Sequence, residues 1–178
     1  AVGRLVKYKG FDILVEAARS INATIMIVGE GIERDALQAS IDAAHLGDRV
    51  RLIGSLSERD LIVHLHAARV YALPSVTNAE TFGIVQLEAM AAGLPVVNTR
   101  LDTAVPLVAR DGIEAITVAP GDAGAFADAV NHMLDDETLR KAAATAALKR
   151  AADFSTETYS AVVTKAILDS VADPALRA

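Results

Sequence analysis

Short runs of aliphatic and β-branched residues alternate along the chain with stretches whose apolar positions recur every three or four residues. Thr24-Ile25-Met26-Ile27-Val28 reads as a buried strand closed by Gly29, and Ile32, Ala36, Leu37, Ile41 and Ala44 give the next stretch one apolar helical face. Val50-Arg51-Leu52-Ile53 is a second strand, ended by Gly54. Ser57 then stands at a helix cap with Asp60 three residues on, the capping-box spacing, and Leu61, Ile62, Leu65 and Ala68 predict the buried stripe behind it. Val70-Tyr71-Ala72-Leu73 is a third strand, stopped by Pro74. A polar loop, a helix from about Gly83 to Ala92 and a strand over Pro95-Val96-Val97-Asn98 follow. Ile116-Thr117-Val118 is the last expected strand, and Pro120-Gly121-Asp122 turns into helical sequence up to Leu134.

Strands of four to six residues separated by helices predict an α/β domain: a parallel sheet of about six strands, with right-handed crossovers and helices on both faces. Ligands in such sheets bind beyond the carboxyl ends of the strands, so the loops after the strands carry most of the functional signal. The tail differs. Glu137 to Arg150 is Ala-rich and helix-forming, Thr156 to Val171 is a second helical run, and no strand follows either. The last residues, from Asp173, are expected to fray.

At 178 residues the chain has the size of one domain, and its 52% hydrophobic content is that of an ordered globular protein. Aromatic residues are 4% of the chain and Trp is absent, which leaves little material for a stacking platform against single-stranded nucleic acid. The balance of 17 basic against 23 acidic residues likewise argues against nucleic acid as a partner, while a small anion held by local donors stays open. The absence of Cys excludes disulfides and thiolate metal sites. The longest stretch free of charged residues, Ala89 to Thr99, is 11 residues, short of the roughly 20 that cross a bilayer. No signal peptide is visible and the chain does not begin with Met, so sequence before Ala1 is expected.

The strongest chemical signal is the stretch from Glu80 to Val97, ETFGIVQLEAMAAGLPVV. Two carboxylates lie near one helix start: Glu80 just before it and Glu88, about 7.5 Å along the axis from Gly83. Gly83 lets the backbone approach a ligand, and the amides of the first turn form an anion site. Both groups also have a bland reading. Glu88 can be an exposed helix carboxylate and Glu80 a charge suited to a positive helix end, worth about 0.3–1 kcal/mol each. Against that, Glu88 sits in a segment otherwise polar only at Gln86, where a charge is expected to need a partner or a polar ligand.

Arg4, Lys7 and Lys9 cluster around the first expected strand-to-helix loop, as anion ligands or as a solvated face. Asp12 reads as a first-turn helix residue. No metal site is expected: His64 and His66 do not share a helix face, His45 and His132 are isolated, and no Asp-x-Asp pair occurs.

The ordered set of Gly3-Arg4 with Lys9-Gly10, Val28-Gly29-Glu30-Gly31, Leu46 to Val50 before Gly54, Leu73-Pro74-Ser75, Glu80 to Val97 and Pro120-Gly121-Asp122 resembles the C-terminal, nucleotide-sugar-binding domain of retaining glycosyltransferases of family 4. These enzymes face two Rossmann-like domains in the GT-B architecture. The resemblance implies roles. Glu80 would touch donor-sugar hydroxyls near the reacting carbon, and Glu88 would hold the ribose hydroxyls. Arg4 and Lys9, with Gly3 beside them, would neutralise the donor diphosphate. Thr81, Phe82 and Gly83 would supply backbone donors around sugar and phosphate, and the loop of Gly54, Ser55 and Leu56 would approach the nucleobase.

The resemblance also implies a nucleoside-diphosphate sugar as donor with no metal or other cofactor, a glycan or lipid-linked acceptor, and a separate N-terminal acceptor-binding domain. It divides the chain into a Rossmann-like donor domain over 1–155 and a C-terminal helix over 156–178 that returns toward that second domain. Location would be cytoplasmic, or peripheral on the inner face of the membrane. Where many relatives carry Gly-Gly or Ser-Gly before a Val/Ile-Pro, this chain has Asp102-Thr103-Ala104-Val105-Pro106, and Ala104 narrows that loop. The lead-in Asn98-Thr99-x-Leu101 resembles bacterial polysaccharide and O-antigen mannosyltransferases, which leans toward GDP-mannose over UDP-sugars. A nucleotide-binding domain without turnover, or a sugar-nucleotide epimerase or phosphorylase relative, remains an alternative.

Overall fold

The structure is a computed structural model that describes residues 1–158, 160–161 and 163–165. Its strands are β1 (Ile25–Val28), β2 (Val50–Gly54), β3 (Tyr71–Leu73), β4 (Val96–Thr99) and β5 (Ala115–Val118). The helices are α1 (Phe11–Ala17), α2 (Arg34–Ala43), α3 (Glu58–Ala67), α4 (Ile84–Ala91), α5 (Val105–Val108), α6 (Ala123–Asp135) and α7 (Glu137–Ala152). A single 3-10 turn, Lys7–Lys9, leads into α1 through Gly10.

Every strand pair is parallel, as the alternating pattern predicts, but the strands divide between two sheets, β1-β2 and β3-β4-β5. Between β1 and β3 lies one isolated rung: Val2 bridges Val28, with Gly3 N–H donating to the Val28 carbonyl and Val28 N–H to that of Ala1. Five strands and this rung account for the expected six. An apolar cavity of about 350 Å³ runs along the gap, bordered by Ile25 and Val28 on one side and Tyr71 and Leu65 on the other.

Each sheet face has its own core. Leu14, Ile27, Ile41, Val97 and Phe126 meet in one cluster beneath α1, α2 and α6; Leu65, Tyr71, Met90, Val96, Val105 and Ala147 meet in the other, beneath α3, α4, α5 and α7. Val96 and Val97 are neighbours in β4 and feed opposite clusters, the period-2 alternation of a strand covered on both faces. Each such side chain contributes roughly 1.5–3 kcal/mol on burial. The expected cap forms at Ser57, whose side chain accepts from the Asp60 amide, and Asp122 and Asp136 cap α6 and α7 by accepting from the amides of Ala125 and Leu139.

Three apolar positions depart from the expected stripes, Ala36, exposed on α2, being one of them. Ile32 is 87% exposed, because the helix starts only at Arg34 and Ile32 lies in the preceding turn. Ile62 is 48% exposed, since α3 buries a narrow stripe through Leu65 and Ile62 falls outside it. Helix α5 was not expected; it forms where Asp102 to Pro106 departs from the family pattern, with Pro106 in its first turn, where a missing N–H costs nothing. The expected run 156–178 falls mostly outside the described residues. Among the described residues no helix is long and apolar enough to cross a membrane.

Candidate functional site

The turns after the strands gather at one edge, with Lys9 and Glu80 at their centre. Lys9 follows the Val2 rung and Glu80 follows β3, yet Lys9 Nζ and Glu80 Oε2 are 2.5 Å apart, both side chains buried. Gly10 fixes this approach. It is left-handed, with φ of 66°, and a side chain on it would start 2.1 Å from the Pro74 carbonyl oxygen, so only glycine lets the Lys9 turn lie against the loop after β3. Gly3 sits beneath the Lys9 stem, its missing side chain replaced by Lys9 Cε 3.3 Å away.

Glu80 has a second partner on the same oxygen: the Ser75 hydroxyl donates to Oε2 at 3.0 Å. Ser75 is fully buried, and its carbonyl accepts from Thr99 Oγ1 at 2.5 Å. Oε2 is thus taken by a cation and a hydroxyl, while Oε1 makes no hydrogen bond to a described residue. A carboxylate held through one oxygen presents the other to a hydroxyl-bearing ligand.

Thr81, Phe82 and Gly83 lead from Glu80 into α4. Gly83, with φ of 68°, caps the helix without a side chain. The Thr81 carbonyl accepts from Ala104 N–H at 2.9 Å, so the loop at Ala104 braces this segment. Phe82 packs edge-on against Phe154, ring centres 5.9 Å apart, and Arg150 lies over Phe154 while its guanidinium donates to the carbonyls of Leu107 and Val108. Thr81 is exposed, Phe82 half-buried and Gly83 buried.

Arg4 is exposed, and its guanidinium makes no hydrogen bond or ion pair with a described residue. Lys7 is taken by Asp12 at 2.6 Å, and the resulting charge-assisted bond, with the Asp12 charge, holds the lysine above its ordinary pKa. Asp12 is a first-turn residue of α1, as read from the sequence. Gly54 closes β2 and bridges Gly29, whose backbone abuts the Gly3 carbonyl, which brings the second loop to the same edge; Leu56 follows, half-buried.

The apolar segment predicts that Glu88 needs a partner or a polar ligand; the structure exposes it on the outer side of α4, and its side chain makes no hydrogen bond or ion pair with a described residue. The buried polar residue of that helix is Gln86, on the face shared with Ala89 and Met90. Helical spacing carried that signal, since positions 86, 89 and 90 share a face that 88 does not. The fields of Glu88 and Glu80 converge on Tyr71. Burial first, opposed by the hydrogen bond to the Val2 carbonyl and reinforced by those two carboxylates, holds the phenol far above its usual pKa. Ser75, Thr99 and Gln86 were not assigned from the sequence, where a single Ser, Thr or Gln carries no spacing signal. Among the described residues no three His, Asp or Glu form a group that could hold a metal.

The family model for glycosyl transferases group 1 matches residues 1–150. Among curated relatives, the chain is 36% identical over 138 residues to a phosphatidyl-myo-inositol mannosyltransferase of Mycobacterium leprae, covering 75% of this chain and 36% of that protein. It is 34% identical over 139 residues to a D-inositol 3-phosphate glycosyltransferase of Mycobacterium bovis, covering 75% of this chain and 28% of that one. Among solved structures it superposes on Anabaena HepE in complex with UDP, with a TM-score of 0.83, 25% identity, and 94% and 48% of the two chains covered. On a sucrose-phosphate synthase from Thermosynechococcus elongatus the TM-score is 0.84, at 26% identity with 96% and 45% covered. The chain spans about a third of the curated relatives and under half of these structures. With a parallel α/β core, a ligand edge built from post-strand loops and a family match across residues 1–150, the chain belongs to the glycosyl transferases group 1 family, as a domain of the GT-B type.

Proposed function

We propose that this chain is the donor-binding half of a retaining glycosyltransferase that moves a hexose, with mannose favoured, from a nucleoside-diphosphate sugar to a glycan or lipid-linked acceptor. The observation that carries the reading is the buried Lys9–Glu80 pair beside the opening of α4, with Arg4 unpaired at the same edge. The named activity of the mycobacterial mannosyltransferase supports the choice of sugar, and the UDP complex of HepE supports a nucleotide as ligand.

In this reading Arg4, Lys9 and the amides of Phe82 and Gly83 receive the diphosphate. Charge grows on it as the glycosidic bond breaks, so fixed donors stabilise the transition state more than the bound donor. Glu80 Oε1 accepts from sugar hydroxyls near the reacting carbon, Glu88 accepts from the ribose, and the loop of Gly54 and Leu56 meets the base. Charge neutralisation by these side chains needs no divalent ion. The acceptor is held by a second, N-terminal domain, and proximity of that kind supplies roughly 7–11 kcal/mol of a barrier.

The test has two parts. Isothermal titration of GDP and UDP in EDTA and in magnesium should give equal affinities, and a strict magnesium requirement would remove the electrostatic role of Arg4 and Lys9. Full-length enzyme incubated with GDP-mannose, UDP-sugars and candidate acceptors should form an α-linked product from an α-linked donor, whereas this chain alone should not turn over. Inversion at the anomeric carbon, or multiple turnovers by this chain alone, would contradict the proposal.

A further inference from the structure

A run of buried polar side chains crosses the domain beneath the candidate site and ends on it. Thr117 of β5 donates through Oγ1 to Asn98 Oδ1 at 2.7 Å. Asn98 of β4 donates through Nδ2 to the Ala109 carbonyl at 3.1 Å and to Gln86 Oε1 at 3.4 Å. Gln86 of α4 donates through Nε2 to the Val105 carbonyl at 3.2 Å and to the Phe82 carbonyl at 2.9 Å. Gln86 and Asn98 are fully buried. A buried amide costs stability unless its bonds are made, and here a polar network occupies a place where Leu or Met would pack.

Its last bond has a geometric consequence. In a trans peptide the carbonyl and the following N–H point in opposite directions. Ala104 N–H draws the Thr81 carbonyl inward and Gln86 draws the Phe82 carbonyl inward, so the N–H groups of Phe82 and Gly83 face the other way. Neither of these amides donates to a described residue. Gly83 has φ of 68°, and φ is the rotation that orients the Phe82–Gly83 peptide plane; glycine tolerates many values of it, so the residue type alone does not fix which way that plane faces. Gln86 supplies that setting.

We propose that Gln86, itself oriented by Asn98, is a positioning residue that aims the Gly83 amide at the donor's diphosphate. This rests on the donor-binding reading above, and its effect on ligand is confined to the phosphates. The side chain is buried behind the peptide plane and touches no ligand. Its role separates from a merely structural one because a nucleoside lacking phosphates does not use the amide.

The experiment measures binding of GDP and guanosine, with UDP and uridine in parallel, to the wild-type chain, Gln86→Met and Asn98→Ala. Gln86→Met should weaken diphosphate binding by roughly tenfold or more, the worth of a charge-assisted hydrogen bond. Nucleoside binding should change by less than about twofold, and the GDP-induced shift of the Gly83 amide in ¹⁵N-labelled protein should shrink. Asn98→Ala leaves Gln86 in place but free to turn over, and should give a smaller loss with the same phosphate selectivity. If Gln86→Met fails to fold, Asn98→Ala decides by the same readouts. Folded variants that bind GDP as wild type does, or that lose GDP and guanosine equally, overturn the positioning role while leaving the donor-binding reading intact. Wild-type chain that binds neither GDP nor UDP overturns both.

Discussion

Lys9 Nζ lies 2.5 Å from Glu80 Oε2, and the two side chains, 71 residues apart in sequence, are 10% and 9% exposed. The cation assigned to the diphosphate and the carboxylate assigned to the sugar therefore hold each other in place. Neither is used up by the contact. Lys9 keeps further N–H donors and Glu80 keeps Oε1, so a ligand can join both charges without breaking the pair.

Replacing Glu80 exposes the consequence of that pairing. Glu80→Ala leaves Lys9 buried without its counter-charge and should destabilise the fold by roughly 3–5 kcal/mol. It should also weaken the sugar conjugate while free nucleoside diphosphate binds as well as before, or better, because Lys9 is released to it. Denaturant melts and paired titrations measure both effects. Equal affinity losses for the two ligands would refute the division of roles.

Glu88 should behave in the opposite way. It is exposed on α4 and its side chain makes no hydrogen bond or ion pair with a described residue, so Glu88→Ala should change stability by less than about 0.5 kcal/mol. A ribose contact predicts similar losses for free and sugar-bound nucleotide, roughly 1.5–3 kcal/mol for hydrogen bonds to a charged group. The same melts and titrations check it, and unchanged affinities would return Glu88 to the role of a solvated helix carboxylate.

These two glutamates show what the sequence made legible and what it did not. The strands and most helices follow from apolar periodicity, α5 excepted, and the convergence of the post-strand loops follows from parallel topology. Glu80 and Lys9 could be named singly, but their contact depends on Gly10 passing Pro74, a tertiary approach that local spacing does not encode. The apolar neighbours of Glu88 along the chain do not bury it, because burial on α4 follows the helical face of Gln86, Ala89 and Met90, which also explains why Gln86 carries no signal in the linear sequence. The division of the sheet at Val2 has no local signal either, because strand propensity does not report which edges meet.

Acid should weaken the fold through Glu114. Its side chain is 1% exposed; burial alone would raise its pKa, but hydrogen bonds from the Arg110 side chain and backbone amide, with the Arg110 charge, hold it below the ordinary carboxylate value. A carboxylate with a depressed folded pKa stabilises the fold above its unfolded pKa, and that stability is lost as pH falls through the folded pKa. Melts on the acid side of pH 4.5 should show wild type losing stability more steeply than Glu114→Gln. Parallel acid limbs for the two proteins would contradict this.

Arg4 offers the most direct test of a diphosphate site, because it is exposed and its side chain makes no hydrogen bond or ion pair with a described residue, so truncating it breaks none. The measurement is titration of GDP, UDP, guanosine and uridine into wild type and Arg4→Ala in EDTA. A diphosphate site predicts that wild type binds a nucleoside diphosphate without metal and that Arg4→Ala loses roughly tenfold or more of that affinity. Nucleoside binding and melting temperature should stay the same. Equal diphosphate affinities for the two proteins, or no diphosphate binding by wild type, would contradict it.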